Sequence, residues 1–313
     1  MLISAPRYDL LILGGSGFVG ARAAQAAQSA GWSVACTHRT RPLPPGISGW
    51  QVDLCDRAQV TALLRETRPR AVLHCAVSYS PTHLEEAEQI ASSAQSTRIL
   101  VDALQNLALD TRIVYVSTNA IFSGMLGRPY TETIFPDPEA RQDQYRYYGL
   151  ARRAGETIAL AGWPDTLVVR TASVDGFDAW GQLNPRLRAQ VDLLRSGQSF
   201  SRYVDRVISP TLVDTLVQAL LEVARPEFPL PKATGQLLHV AGCQPLTDFE
   251  YAVKIASHLG ISQPPILADH YLPLGSAGLY NIALDVTQTQ ALLHTRLLTV
   301  DQMLEAIGRA AGW

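Results

Sequence analysis

Through the first 170 residues, short continuous apolar runs alternate with stretches that carry apolar residues on one helical face only. A parallel sheet covered by helices produces this pattern, because its strands are buried on both faces and its crossover helices on one. Strands are predicted over 9–13, 33–37, 49–52, 71–75, 112–117 and 166–170, and helices over 18–30, 57–66, 84–107 and 141–161. Gly31 stands where the first helix should stop, and Pro69 separates the second helix from the strand after it. The run Arg41-Pro42-Leu43-Pro44-Pro45-Gly46 suits neither helix nor central strand, since proline removes a donor and fixes φ. The second crossover is therefore expected to be a loop.

Beyond residue 170 the alternation weakens, and segments rich in Gly, Pro and Asp interrupt it over 175–185, 225–235 and 263–273. Helices are still expected over 185–195, 210–224, 248–259, 286–292 and 300–310. The expected fold class is α/β. Residues 1–173 with 203–240 would form a doubly wound parallel sheet, and 174–202 with 241–313 a smaller, discontinuous C-terminal lobe for substrate. Internal repeats and low-complexity tracts are absent from the chain.

Composition narrows the partners. Of 313 residues, 47% are hydrophobic and 17% charged, which is the balance of a folded globular chain and not of a disordered one. A formal net charge of −2 gives no reason to expect nucleic acid or an anionic membrane as partner. Cys36, Cys55, Cys75 and Cys243 lack metal-ligand or disulfide spacing and read as small buried apolar residues, two of them (Cys36 and Cys75) inside predicted strands. No metal is expected. The apolar run near the N-terminus, Leu10 to Gly14 with Asp9 before it, is too short for a signal core or a membrane span, so a cytoplasmic location is expected.

Chemistry enters at Leu13-Gly14-Gly15-Ser16-Gly17-Phe18-Val19-Gly20, where an apolar strand runs into an alanine-rich helix. Gly14 permits the turn, Gly17 lets a pyrophosphate approach the backbone, and Gly20 allows close helix–strand packing. Phe18 and Val19 open the helix, whose free N–H groups would face the phosphates. In this strand–turn–helix context the glycines indicate a Rossmann dinucleotide site. The second strand ends Thr37-His38-Arg39 with no carboxylate for a ribose 2′-hydroxyl. A guanidinium there suits a 2′-phosphate, so NADP(H) is expected in preference to NAD(H). The alternative is Arg39 as a solvated loop residue. Asp53 and Leu54 are placed to meet the adenine, or Asp53 caps the helix beginning near residue 57.

Ser117, Thr118 and Asn119 leave the fifth strand at its carboxyl edge, where two hydroxyls and an amide could hold a substrate carbonyl or simply bond a turn. Tyr148 and Arg152 stand i, i+4 on one helix face. A tyrosine can protonate the oxygen of a carbonyl receiving hydride when a nearby cation stabilises its conjugate base. Alone, such a pair is an ordinary surface contact. Together with the glycine turn and the hydroxyl-bearing strand end it forms a candidate site.

In this order the residues resemble the extended short-chain dehydrogenase/reductases, and within them the dTDP-4-dehydrorhamnose reductases, over most of the chain. Ser117-Thr118-Asn119-Ala120-Ile121-Phe122-Ser123-Gly124 is similar to that family's Ser-Thr-Asp-x-Val-Phe-x-Gly, and Pro129-Tyr130-Thr131-Glu132 to its Pro-Tyr-x-Glu. Tyr148-Gly149-Leu150-Ala151-Arg152-Arg153-Ala154-Gly155-Glu156 parallels its Tyr-Gly-x-x-Lys-x-x-Gly-Glu. The resemblance implies Thr118 bonding the substrate carbonyl, Tyr148 donating the proton and Arg152 holding the nicotinamide ribose. It also implies Ala76 and Val77 lining the cofactor and Thr171 near the nicotinamide, with Asn119 beside the substrate. Departures accompany it. Arg152 replaces a lysine, Asn119 an aspartate and Ser93 a helix asparagine, and Gly275-Ser276-Ala277-Gly278-Leu279-Tyr280-Asn281 stands where the family grips phosphate with Arg-Pro-x-x-Ser.

Three functions compete on these residues. The first is an NADPH-dependent ketoreductase acting on a deoxysugar nucleotide or other small ketone. The second is a dinucleotide-binding regulatory protein that has lost catalysis, as in the regulatory subunit of methionine adenosyltransferase, which resembles the same reductases. The third is an epimerase or dehydratase, for which the added acid–base residues are not found. Expected partners are a small-molecule substrate and at most a second copy of the chain as a homodimer.

Overall fold

The strand β1 (Tyr8–Leu13) runs buried through the centre of the molecule with a parallel neighbour on each side. The computed structural model describes residues 8–77, 86–273 and 278–313. After β1 come α1 (Phe18–Ser29), β2 (Val34–His38), β3 (Gly49–Gln51), α2 (Arg57–Thr67), β4 (Pro69–His74), α3 (Glu86–Asn106), β5 (Arg112–Thr118), α4 (Arg146–Gly162) and β6 (Thr166–Thr171). The second half adds β7 (Val174–Asp175), α5 (Pro185–Ser196), β8 (Phe200–Tyr203), β9 (Arg206–Ile208), β10 (Thr211–Leu212) and α6 (Val213–Val223). It ends with β11 (Leu237–Val240), β12 (Leu246–Thr247), α7 (Asp248–His258), β13 (Ile266–Asp269), β14 (Tyr280–Asn281), α8 (Thr287–Leu292) and α9 (Val300–Ala311).

Seven strands form one parallel sheet in the order β11-β6-β5-β4-β1-β2-β3. Alternate side chains of β1 feed two separate cores, as the two-residue period of a strand requires. Leu10 and Ile12 pack with Ala23, Ala24 and Ala27 of α1 and Leu216 and Leu220 of α6. Leu11 and Leu13 pack with Leu64 of α2 and Leu100 and Leu104 of α3. Helices on both faces make this a doubly wound Rossmann sheet, whose strand order reverses between β1 and β4. Ligands bind at such a reversal, outside the carboxyl ends of the strands.

The six predicted strands of the first half are present, and the loop after β2 runs through the proline-rich segment as expected. The seventh, β11, was hidden because three apolar residues around His239 match a buried helix segment as well as a strand. The helix expected from residue 141 begins at Arg146. Arg141 is extended there, and its guanidinium donates to Phe122 O at 2.7 Å. Residues 84–85, the predicted start of the third helix, lie outside the described residues, as do 275–277 of the segment read against the phosphate-gripping motif. The cysteines divide differently from the expectation. Cys36 is buried, Cys55 and Cys75 are half-buried with Cys75 one residue past β4, and Cys243 is exposed; all four are free.

The later elements build a third core from Leu187 and Val191 of α5, Ile255 of α7 and Met303 and Ile307 of α9. Small sheets, β12-β9-β14 and β13-β8, cover it. Backbone bonds bind this part to the long segment after β5: Tyr130 N donates to Ala283 O, Asp285 N to Tyr130 O and Asn281 N to Gly124 O. No helix among the described residues is long and apolar enough to cross a membrane.

Candidate active site

The turn after β1 is built for close approach. Gly14 has φ +87°, and a Cβ there would meet Ala76 Cα at 2.8 Å. A Cβ on Gly20 would meet Gly14 O at 2.3 Å, so α1 touches the turn directly. Thr37, at the end of β2, pins the loop: its hydroxyl accepts from Gly14 N at 3.1 Å and its carbonyl from Gly15 N at 2.8 Å. Gly17 caps α1 without any side-chain bond to the first helical N–H groups. Those donors, reinforced by the helix dipole, suit a phosphate.

A cavity of about 260 Å³ opens beside this turn. Gly14, Gly17, Arg39, Asp53, Leu54, Ala76 and Val77 all line it, bringing together most of the residues singled out for cofactor. Phe18 and Val19 do not line it; their half-buried side chains pack on the core beneath α1. Asp53 accepts from Cys55 N at 2.9 Å, and it is Asp56 that caps α2, accepting from the N–H groups of Ala58 and Gln59. The alternative capping role for Asp53 is thus filled by its neighbour. Ser93, which stands in the place of the family's helix asparagine, also lines the cavity, as do Arg41 and the hydroxyls of Ser92 and Ser96 of α3, which motif reading passed over. The spacing of those serines on one helix face was the available signal. The guanidinium of Arg41 stacks on the Trp180 ring, 4.1 Å from its centroid, linking the β2 loop to the segment after β7.

Tyr148, Arg152, Thr118, Asn119 and Thr171 lie outside this cavity, towards β5 and β6. Thr118 and Thr171 end those two strands as direct partners in register. The Thr118 hydroxyl accepts from Ala120 N at 3.1 Å, and the Asn119 amide donates to Ile282 O at 2.8 Å, tying the strand end to the later core. Thr171 Oγ1 is buried with no hydrogen-bond partner among the described residues. Tyr148 is half-buried on the first turns of α4. Arg152, one turn on, is 2% exposed and donates from Nη1 to Ala76 O at 2.8 Å. That bond joins the helix bearing Tyr148 to the rim of the cavity beside the glycine turn.

Below Arg152, the His74 and Tyr115 rings pack 5.1 Å apart. Burial, and then the Arg152 charge, push the His74 imidazole down to about 3. His239, buried near Arg170, is likewise pushed down to about 3. Unfolding releases both to an ordinary value near 6.5. Because these folded values are depressed, the unfolded chain binds more protons, and stability falls progressively from about pH 6.5 towards pH 3. Unfolding free energies from denaturant titrations at pH 7 and pH 5 should therefore differ by about 2 kcal/mol per histidine. His74→Phe should remove half of that difference, and an unchanged pH dependence would refute the buried neutral state.

The chain resembles known proteins across both parts of this architecture. It is 24% identical over 264 residues to methionine adenosyltransferase 2 subunit beta of Xenopus laevis, covering 81% of this chain and 73% of that one. It is 28% identical over 190 residues to dTDP-4-dehydrorhamnose reductase of Streptomyces griseus, covering 60% and 57%. The structure of dTDP-4-dehydrorhamnose reductase from Bacillus anthracis in complex with NADP superposes with a TM-score of 0.75 at 19% identity, covering 97% of this chain and 99% of that one. At that identity the superposition speaks for the fold alone. The sequence pattern of the RmlD substrate binding domain extends from residue 8 to residue 306, through the glycine turn, α4 and the later core alike, and the chain belongs to that family.

Proposed function

We propose that this protein is an NADPH-dependent ketoreductase of the extended short-chain dehydrogenase/reductase type, reducing a keto group on a deoxysugar nucleotide or another small ketone. One observation carries the reading: Arg152, at i+4 from Tyr148, is hydrogen-bonded to Ala76 on the rim of the cavity that holds the glycine turn. The residues fit a dinucleotide. The turn has no room for side chains at Gly14 and Gly20, α1 offers uncapped N–H groups, and Arg152 Nε and Thr171 Oγ1 are buried without partners among the described residues.

When bound, the reduced nicotinamide supplies hydride to the carbonyl carbon. The chain's own part is to place and protonate. Tyr148 Oη gives its proton to the carbonyl oxygen as negative charge develops there. Arg152 stabilises the resulting phenolate electrostatically and bonds ribose hydroxyls, but a guanidinium, which does not give up its proton in proteins, takes no part in a proton relay. Thr118 Oγ1 accepts from Ala120 N and directs its proton over a long 3.4 Å contact to Asn119 Oδ1, a bond it exchanges for one to the carbonyl oxygen. Arg39, exposed at the cavity edge, pairs with the 2′-phosphate. Structural neighbours in complex with NADP, from Bacillus anthracis, and with NAD+, from Bordetella bronchiseptica, support a nicotinamide dinucleotide at this site.

Oxidation of NADPH against a panel of keto-sugar nucleotides and small ketones, with cofactor binding titrated alongside, tests the reading; binding without turnover on any member would sink it. Arg39→Ala should weaken NADPH by about 10-fold, the worth of one charge-assisted bond, and leave NADH within about two-fold. Equal losses for both cofactors would remove Arg39 from the 2′-phosphate.

A second reading, a regulatory protein that keeps the dinucleotide and has lost catalysis, is favoured by the arginine at 152 and by the likeness to methionine adenosyltransferase 2 subunit beta. Arg152→Lys separates the two. Faster reduction marks a detuned enzyme, and continued silence supports the regulatory role.

A further inference from the structure

Arg152 is a permanent cation removed from water, and among the described residues it has no carboxylate partner. Glu156, one turn further on, is taken by Arg170. What lies against the guanidinium is the ring of Tyr115, whose centroid is 4.4 Å from Cζ. Attraction between a cation and an aromatic face grows as water is excluded, so a buried stack of this kind offsets part of the desolvation of the charge.

Tyr115 is itself held on three sides. Its hydroxyl enters a notch left by Gly155, where a Cβ would stand 2.0 Å from Oη. Its edge meets His74, which burial keeps neutral and which therefore adds no second cation. Its remaining face lies under Arg152. The hydroxyl is turned towards Ser93 of α3, which leaves the ring face to Arg152.

We propose that Tyr115 is the positioning residue that allows an arginine to stand in the lysine's place: its ring carries the guanidinium, which Nη1 anchors to Ala76 O at the edge of the dinucleotide cavity. The inference rests on the reading of this cavity as a nicotinamide dinucleotide site. A lysine ammonium is compact and strongly hydrated and has no planar face to lay on the ring, so the ring of Tyr115 contributes much less when residue 152 is lysine. The two positions are a matched pair across β5 and α4.

A double-mutant cycle on the whole chain, read by NADPH affinity, tests this. Tyr115→Leu should weaken NADPH by about 10-fold, within the range of a desolvated cation–π contact. Tyr115→Phe, which keeps the ring, should stay within about two-fold. In the Arg152→Lys background, Tyr115→Leu should change affinity by less than about two-fold. Independent effects of the two substitutions, or equal losses for Phe and Leu, would overturn the pairing. Without any cofactor, the Arg152 Nε–H resonance should be shifted upfield by the ring, with the shift kept in Tyr115→Phe and lost in Tyr115→Leu. A wild-type resonance with no such shift overturns the stack even if the leucine variant fails to fold. If the wild type does not bind NADPH at all, the proposed function fails and the positioning role falls with it; if NADPH binds and the cycle is additive, only the positioning role fails.

Discussion

Tyr148→Phe is expected to lower turnover by about 10²- to 10⁴-fold, the contribution of a positioned general acid, and to leave NADPH affinity within about two-fold. Phenylalanine keeps the ring and its packing on the half-buried face of α4 and removes only the hydroxyl that would protonate the substrate. Arg152 keeps its bond to Ala76 O, so the cavity rim should be undisturbed. Single-turnover oxidation of NADPH with an accepted ketone, alongside a binding titration of the same variant, separates chemistry from affinity. Persistent turnover would show that another group is the acid. A matching loss of affinity would make Tyr148 a cofactor contact and not a proton donor.

The largest effect on stability is expected from Arg170→Met. Arg170, on β6, donates from Nε to Glu156 Oε1 at 3.1 Å and from Nη2 to Glu156 Oε2 at 2.9 Å. Both side chains are almost wholly buried, at 3% and 4% exposure. Removing the cation leaves a carboxylate in a low-dielectric interior, which costs about 3–5 kcal/mol and should appear as a lower denaturant midpoint. Glu156→Leu combined with Arg170→Met should recover most of that loss, because the desolvation of the pair disappears with the pair. A single variant losing less than about 1 kcal/mol would mean that water reaches Glu156. The pair bears on function because Tyr148, Arg152 and Glu156 follow one another at i, i+4 and i+8 along α4. Anchoring Glu156 to β6 fixes the helix that carries the other two.

Much of the sheet was legible because a parallel strand buried on both faces must be apolar at every position. Leu10 to Leu13, Ala71 to Leu73 and Ile113 to Val116 say so locally. The glycine turn was legible for a related reason: where Ala76 stands 2.8 Å from a would-be Cβ, only glycine fits, and steric demands of that kind are written in the residue itself. Capping was less so. Asp53 and Asp56 are chemically identical, and only the path of the backbone decides which one reaches the N–H groups of Ala58 and Gln59. The strand β11 was missed because its partner, β6, lies far away in the chain and three apolar residues around His239 carry no period of their own.

By itself the chain determined the Rossmann sheet, the dinucleotide turn and the i, i+4 spacing of Tyr148 and Arg152, because burial pattern, steric exclusion and helical repeat act over a few neighbouring residues. Tertiary structure alone decided what Arg152 does. Its guanidinium meets the Tyr115 ring, from β5, and the Ala76 carbonyl, just past β4. Such contacts depend on which strands the sheet places beneath α4, and no local pattern of residues encodes that placement.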